Sequence, residues 1–125
     1  MAILSICIPT YNRVNNLNNC LNSILMAKKK FPHFDFEVCV SDNSSDADVK
    51  KIISNYSEKF KIKFNKNDKN LGFALNAIKS VSMAEGEYSW MIGDDDLVTP
   101  DSFEYLNSIL HDNLDKDYFY INSYY

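Results

Sequence analysis

Short apolar runs and stripes of helical period alternate along the chain. Ile3 to Ile8 is almost continuously apolar and is stopped by Pro9, which suits a strand buried on both faces. From Val14 to Met26 the apolar positions Leu17, Cys20, Leu21, Ile24 and Leu25 recur at helical spacing, with asparagines mostly between them on the wet face. Phe36 to Val40 is a second apolar run. It ends in the polar cluster Ser41-Asp42-Asn43-Ser44-Ser45-Asp46, rich in turn formers and helix N-caps. Val49, Ile52, Ile53 and Tyr56 mark a second helix, and Lys61 to Phe64 a short alternating strand. Asn70-Leu71-Gly72-Phe73 opens a third helix whose inner face is assigned to Leu75, Ala77, Ile78 and Val81. After the turn Glu85-Gly86-Glu87, Tyr88 to Ile92 reads as a strand. Thr99-Pro100-Asp101 starts a fourth helix: a capping hydroxyl, Pro at the first position and an acid in the first turn, followed by Phe103, Leu106, Ile109 and Leu110. Asp117 to Tyr125 is a last β-prone stretch, dense in tyrosine.

The predicted order is βαβαβαβαβ. Helical crossovers between short buried strands imply an α/β fold with a mostly parallel, doubly wound sheet and flanking helices. The 125 residues suit one domain. The chain stops within or just after a predicted strand, so it is read as part of a larger domain. In open α/β sheets ligands bind beyond the carboxyl ends of the strands. Three polar clusters fall there: Pro9-Thr10-Tyr11-Asn12-Arg13, Ser41-Asp42-Asn43-Ser44 and Gly93-Asp94-Asp95-Asp96.

Net charge is −4, which argues against a nucleic-acid grip, since that needs a basic surface. It leaves room for a phosphate-bearing ligand held through a metal ion. The three cysteines, Cys7, Cys20 and Cys39, form no CxxC pair, and two lie inside apolar runs. Buried free thiols in a reducing compartment are expected, not a disulfide framework or a zinc site. The N-terminus lacks the basic leader of a signal peptide, and no run approaches the roughly 20 apolar residues of a spanning helix. A cytoplasmic protein is the expectation, with work at the inner face of a membrane left open.

Three adjacent carboxylates at the end of a buried strand repel one another unless a cation offsets them. Mg²⁺ and Mn²⁺ take oxygen ligands, bind through one or two carboxylates and complete their shells with phosphates. A solvated turn, with one acid capping the next helix, explains Asp94 to Asp96 about as well. Asp42 either accepts hydrogen bonds from a base or ribose, or closes an Asx-turn. Tyr11 either stacks on a base or packs on the surface, and Arg13 either pairs with phosphate or stays solvated. Lys28-Lys29-Lys30 reads first as a solvated helix end and second as a membrane-facing patch. His33 and His111 are near no cluster and receive no role.

Together the clusters resemble the N-terminal half of a family 2 glycosyltransferase with the GT-A, Rossmann-like fold. Ser5-Ile6-Cys7-Ile8-Pro9-Thr10-Tyr11-Asn12-Arg13 is similar to that family's opening strand and "PTYNR" turn. Glu37-Val38-Cys39-Val40-Ser41-Asp42-Asn43-Ser44-Ser45-Asp46 is similar to its "V-D-[DN]-x-S-x-D" segment. Asn70-Leu71-Gly72 followed by Asn76 resembles its "N-x-G" helix opening. Gly93-Asp94-Asp95-Asp96 followed by Thr99-Pro100-Asp101 resembles its acidic metal motif and "PD" helix start.

The resemblance implies a domain, residues 1–125, that binds a nucleoside diphosphate sugar. It implies nucleotide contacts from Pro9, Thr10, Tyr11, Arg13, Asp42, Asn70, Gly72 and Asp94, and Mn²⁺ or Mg²⁺ held by Asp95 and Asp96. Counting back from Pro100 puts Asp95 at the metal position, with Gly93 where the motif's first acid would stand; reading the triplet itself as D-x-D puts Asp96 there. The first register is favoured, with Asp94 and Asp96 supporting the ribose side or the metal shell. The resemblance further implies an inverting, metal-dependent transfer to a glycan or lipid-linked acceptor. The general base of inverting members comes from the acceptor-binding half, so it is expected beyond Tyr125, and the triplet is not that base. Two other readings stand beside this one. The first is a non-catalytic nucleotide- or glycan-binding domain of the same fold. The second is a receiver-like signalling module, which wants paired acids after its first strand where this chain has Pro9-Thr10-Tyr11, and a Lys after its last. The aromatics from Tyr118 to Tyr125 are expected to form an interface, such as that of a homodimer.

Overall fold

The computed structural model describes residues 2–122. Eight elements occur in order: β1 (Leu4–Thr10), α1 (Val14–Lys30), β2 (Phe36–Asp42), α2 (Val49–Ser54), β3 (Ile62–Lys66), α3 (Phe73–Ser82), β4 (Tyr88–Met91) and α4 (Ser102–Asp112). The four strands form one all-parallel sheet in the order β3-β2-β1-β4. Strand order reverses around β1, the first strand laid down, so the clefts beyond β1 and its neighbours open where crossovers leave in opposite directions.

The sheet has two unlike faces, because side chains alternate along each strand. Leu4, Ile6 and Ile8 of β1 and Phe36, Val38 and Val40 of β2 join Leu17, Leu21 and Ile24 of α1, Val49 and Ile53 of α2, and Phe103, Leu106 and Leu110 of α4 in one apolar core. Phe36 and Phe103 meet at 4.7 Å between ring centroids, and Phe34 stacks beside them. The alternate residues, Ser5 and Cys7 of β1 and Glu37, Cys39 and Ser41 of β2, are small or polar yet fully buried, and α3 packs over that side of the sheet.

That second face overturns the expected orientation of α3. Its buried residues are Asn76, Ala77 and Ser80; Leu75, Ile78 and Val81 face solvent, and only Ala77 of the predicted inner face lies inside. Hydrophobic periodicity assumes an apolar surface beneath the helix. Here the surface beneath carries strand-end carbonyls and Ser41, and Asn76 satisfies them. Its amide donates to the carbonyls of Ser41 (3.0 Å) and Thr10 (3.5 Å), and its Oδ1 accepts from Ser41 Oγ (2.8 Å) and Asn67 Nδ2 (2.9 Å). An apolar side chain turned inward there could make none of these hydrogen bonds, so the polar face beneath selects Asn76 for the inner position.

Other boundaries shift for local reasons. β1 continues through Pro9 to Thr10, with Pro9 opposite Ser41. α1 runs on through Lys28–Lys30, cations that suit the negative end of its dipole. The Thr99-Pro100-Asp101 segment is a turn ahead of α4: the Thr99 hydroxyl meets Ser102 Oγ, not a backbone N–H, and the acid of the first turn is Glu104. Asp101 pairs instead with Lys30. No fifth strand forms across residues 117–122, and 123–125 lie outside the described residues. Tyrosine favours strands only where it meets a half-buried pleated surface. Of this stretch Phe119 packs edge-on against Tyr88 (5.5 Å), while Tyr118 and Tyr120 stay exposed. All three cysteines are free and buried.

Candidate functional site

The carboxyl ends of β1 and β2 and the loop after β4 meet at one edge of the sheet, and side chains lock them together. Asn12 sits in the left-handed region (φ 51°), where asparagine is tolerated. Its backbone N–H donates to Ser45 Oγ (2.8 Å), its side-chain oxygen accepts from the Asp46 N–H (2.9 Å), and its amide reaches Asp46 Oδ2 (3.4 Å). The turn after β1 is thereby docked on the turn after β2. Asp42 is fully buried, and both its oxygens accept from the Ser45 N–H (3.2 and 3.3 Å), with Ser45 Oγ donating to Oδ1 as well. Asp42 thus closes its own turn, the local one of the two roles its sequence context allowed. Tyr11 stands half-exposed at the rim.

Asparagines continue the lock on the far side. Asn43 donates to Asn70 Oδ1 (2.8 Å) and to the Gly72 carbonyl (3.2 Å), and its own oxygen accepts from the Leu71 N–H (2.8 Å) and Asn67 Nδ2 (3.1 Å). Asn70 Oδ1 also accepts from the Gly72 N–H (2.8 Å). Gly72, at φ 85°, caps α3 in a conformation that L side chains rarely adopt, with open space where a side chain would stand. The strand-end clusters and motif segments contained Asn12, Asn43, Ser45 and Asn76 without giving any of them a role of its own, and Asn67 was not singled out; the side-chain contacts supply those roles.

The acidic triplet divides into three environments. Asp94 is buried; its Oδ2 accepts from Thr10 Oγ1 (2.9 Å), and Arg13 lies 3.4 Å from its Oδ1. Burial raises the Asp94 pKa above the ordinary carboxylate value, with Thr10 and Arg13 pulling against it and Asp95 adding to it. Asp95 projects outward, its side chain 57% exposed, and its Oδ2 lies 3.5 Å from Arg13. Asp96 folds back so that its Oδ2 accepts from the Gly93 N–H (2.7 Å) and closes the turn. α1 straps this loop at both ends, through Cys20 Sγ to the Gly93 carbonyl (3.8 Å) and Ser23 Oγ to the Val98 N–H (3.0 Å). Repulsion within the triplet is therefore relieved by a buried hydroxyl, a guanidinium and a backbone N–H.

Pro9, Thr10, Arg13, Asp42 and Asp94 are thus brought together, with Asp95 and Asp96 at the opening; Asn70 and Gly72 join through Asn43. Among the described residues no three His, Cys, Asp or Glu side chains form a ready-made metal cage. A groove of about 670 Å³ lies elsewhere, lined by Leu4, Tyr88, Trp90, Leu110 and Phe119 along the free edge of β4, and contains none of these residues.

The sequence profile of glycosyl transferase family 2 matches residues 5–120. The chain belongs to that family. Among its relatives, abequosyltransferase RfbV of Salmonella typhimurium is 40% identical over 117 residues, 90% of this chain and 34% of that protein. Chondroitin synthase of Pasteurella multocida is 32% identical over 113 residues, 88% of this chain and 11% of that enzyme. The chain thus spans about a third of RfbV and far less of the synthase. In three dimensions it superposes on the 1–349 portion of Staphylococcus aureus TarS with a TM-score of 0.80 at 27% identity, covering 91% of this chain and 33% of that one. The same portion bound to UDP-GlcNAc matches with a TM-score of 0.79. The parallel sheet with helices on both sides is the GT-A, Rossmann-like arrangement of this family. No helix among the described residues is long and apolar enough to cross a membrane.

Proposed function

We propose that this family 2 chain binds the nucleoside diphosphate sugar donor for a metal-dependent, inverting transfer to a glycan or lipid-linked acceptor. The observation that carries the reading is the junction of Thr10, Arg13, Asp94 and Asp95 at the strand ends, within a fold whose TarS counterpart is described with UDP and with UDP-GlcNAc. The family relationship supports a nucleotide-sugar donor; the metal, the stereochemistry and the acceptor are part of the proposal.

In this reading Thr10, Tyr11 and the Asp42 turn border the base, with Asn43, Asn70 and Gly72 holding the neighbouring wall. Asp94, anchored by Thr10, faces the ribose side. Asp95 is the exposed acid, held only by the equally exposed Arg13 at its Oδ2, so it is assigned as the metal ligand; Asp96 is committed to its turn and supports the loop from outside. The donor set fits Mn²⁺ or Mg²⁺, which accept one or two carboxylates and keep waters and phosphates. When bound, such an ion offsets the negative charge that develops on the departing diphosphate. Asp95 fixes where that charge is met, and Arg13 adds a second cation within reach of the phosphates. None of the three acids is assigned as the base that deprotonates the acceptor.

The experiment is a calorimetric titration of UDP, dTDP, GDP and CDP into the protein with Mn²⁺ and again with EDTA. The expected result is binding of one nucleotide that disappears with EDTA. Absence of binding by all four in Mn²⁺ would reject the reading.

Gly93 supplies a finer check. A methyl group there would stand 2.7 Å from Asp95 Oδ1 and 3.2 Å from Asp96 Oδ2, so both carboxylates occupy space that only glycine leaves free. Because these are the movable ends of exposed side chains, Gly93→Ala is expected to change stability by less than about 1 kcal/mol. It should nevertheless weaken metal-dependent nucleotide binding roughly tenfold by turning both acids aside. Thermal denaturation and the same titration read the two effects separately.

A further inference from the structure

Arg13 stands where a cation is expected, and for α1 it stands at the wrong end. It is the N-cap residue of that helix and gives it no side-chain cap, and the first turn contains no acid. A positive charge at a helix N-terminus opposes the helix dipole. What holds the guanidinium is the acidic loop: a single nitrogen, Nη1, lies 3.4 Å from Asp94 Oδ1 and 3.5 Å from Asp95 Oδ2. The side chain is more than half exposed, so it is free to leave.

Resting on the donor-binding reading above, the geometry points to Arg13 as a resident counter-ion that opposes metal binding in the absence of nucleotide and pairs with the diphosphate once it arrives. A divalent cation on the open carboxylate of Asp95 would lie within a few ångströms of Nη1, and two cations at that separation repel. The guanidinium must swing away, and alone in water it has no new partner to offset the lost ion pairs. A diphosphate supplies one, because the planar fork matches phosphate oxygens in pairs. Arg13 therefore couples the two ligands. Metal binds poorly alone and well with nucleotide, and nucleotide gains from metal by the same factor, as reciprocity of binding free energies demands.

The test measures Mn²⁺ affinity by electron paramagnetic resonance without nucleotide, and calorimetric affinity for UDP, dTDP, GDP and CDP with and without Mn²⁺. It compares the wild-type chain with Arg13→Gln and Arg13→Lys. In Arg13→Gln, Mn²⁺ alone should bind roughly 3- to 5-fold tighter, the factor set by an exposed ion pair. Nucleotide in saturating Mn²⁺ should bind roughly tenfold weaker. Arg13→Lys should return Mn²⁺ affinity toward wild type while recovering nucleotide affinity only in part. A role limited to holding the loop would weaken both ligands together, so the opposite signs are diagnostic. Unchanged or weaker Mn²⁺ binding by Arg13→Gln, in a chain that still binds nucleotide with metal, overturns this inference and leaves the donor reading standing. A wild-type chain that binds no nucleotide in Mn²⁺ overturns both.

Discussion

Replacing Glu37 by alanine is expected to destabilise the fold by about 3 kcal/mol, because it leaves the buried Ser5 hydroxyl and the Glu85 N–H without their acceptor. Glu37 is fully buried in β2 on the face beneath α3. Its Oε1 accepts from Ser5 Oγ (2.8 Å), the Glu85 N–H (2.7 Å) and Lys63 Nζ (3.3 Å); its Oε2 faces Lys63 (3.1 Å) and Lys61 (3.3 Å). One carboxylate thus ties β1, β2, β3 and the turn before β4. The Gly86 N–H of that turn also donates to Ser5 Oγ, at a point where an added Cβ would meet Ser5 N at 2.9 Å. Burial raises the Glu37 pKa, but the hydrogen bonds from Glu85, Ser5, Lys63 and Lys61 outweigh it and hold it down at about 2, against 4.5 for an ordinary glutamate. The depressed value means that the folded state favours the ionised form. This contribution is therefore complete above about pH 5 and is lost as pH falls toward 2, on the order of 3 kcal/mol. Denaturant unfolding at pH 7 and at stepped lower pH checks both statements. Glu37→Gln keeps the shape and some of the hydrogen bonds, so it should lose less than alanine at pH 7 and show a flatter acid limb. An acid limb unchanged by Glu37→Gln would refute the assignment.

The second large effect belongs to Asp95. If Asp95 is the metal ligand as proposed, Asp95→Asn is expected to weaken metal-dependent nucleotide binding by roughly 100-fold, since it removes the charge that would meet the cation. Stability should stay within about 0.5 kcal/mol of wild type, because the side chain is exposed and its one ion pair is weak. Asp96→Asn is the matched control. Asparagine still accepts the Gly93 N–H through its side-chain oxygen, so the turn persists and most binding should survive. Calorimetry with Mn²⁺ ranks the two. A larger loss from Asp96→Asn than from Asp95→Asn would move the metal ligand one residue along and reverse the roles given to the two acids.

The strand-end clusters were legible because each combines a buried run, a polar break and a helix start, and the parallel order then forces them to one edge. What the clusters do inside that edge was not legible. Asp42 looked as ready to meet a base as to close a turn, and only its burial against Ser45 shows that its oxygens are engaged locally. The family resemblance ranked the three acids only by register, and the residues themselves offered no partners; Thr10, Arg13 and Gly93 give each a different one, and two of those partners lie more than 80 residues away in sequence. Glu37 passed unnoticed inside an apolar run. The alternating Lys61 and Lys63 on the neighbouring strand were its only signal, and they become one only when β2 and β3 are known to pair.

By itself the sequence determined the class of fold, the order of its elements up to α4 and the gathering of its polar strand-end clusters at one edge of the sheet. These derive from periodicity and turn chemistry, which are local properties of the chain. The tertiary structure decided which way α3 faces, that residues 117–122 add no strand, and which acid remains open to a ligand. Those outcomes depend on what lies opposite each side chain. Asn76 turned inward because it bonds Ser41 and Asn67 on the polar face beneath α3, Tyr118 and Tyr120 met no pleated surface, and Asp95 stayed exposed, with only Arg13 beside it, because Thr10 and the Gly93 N–H had already engaged its neighbours.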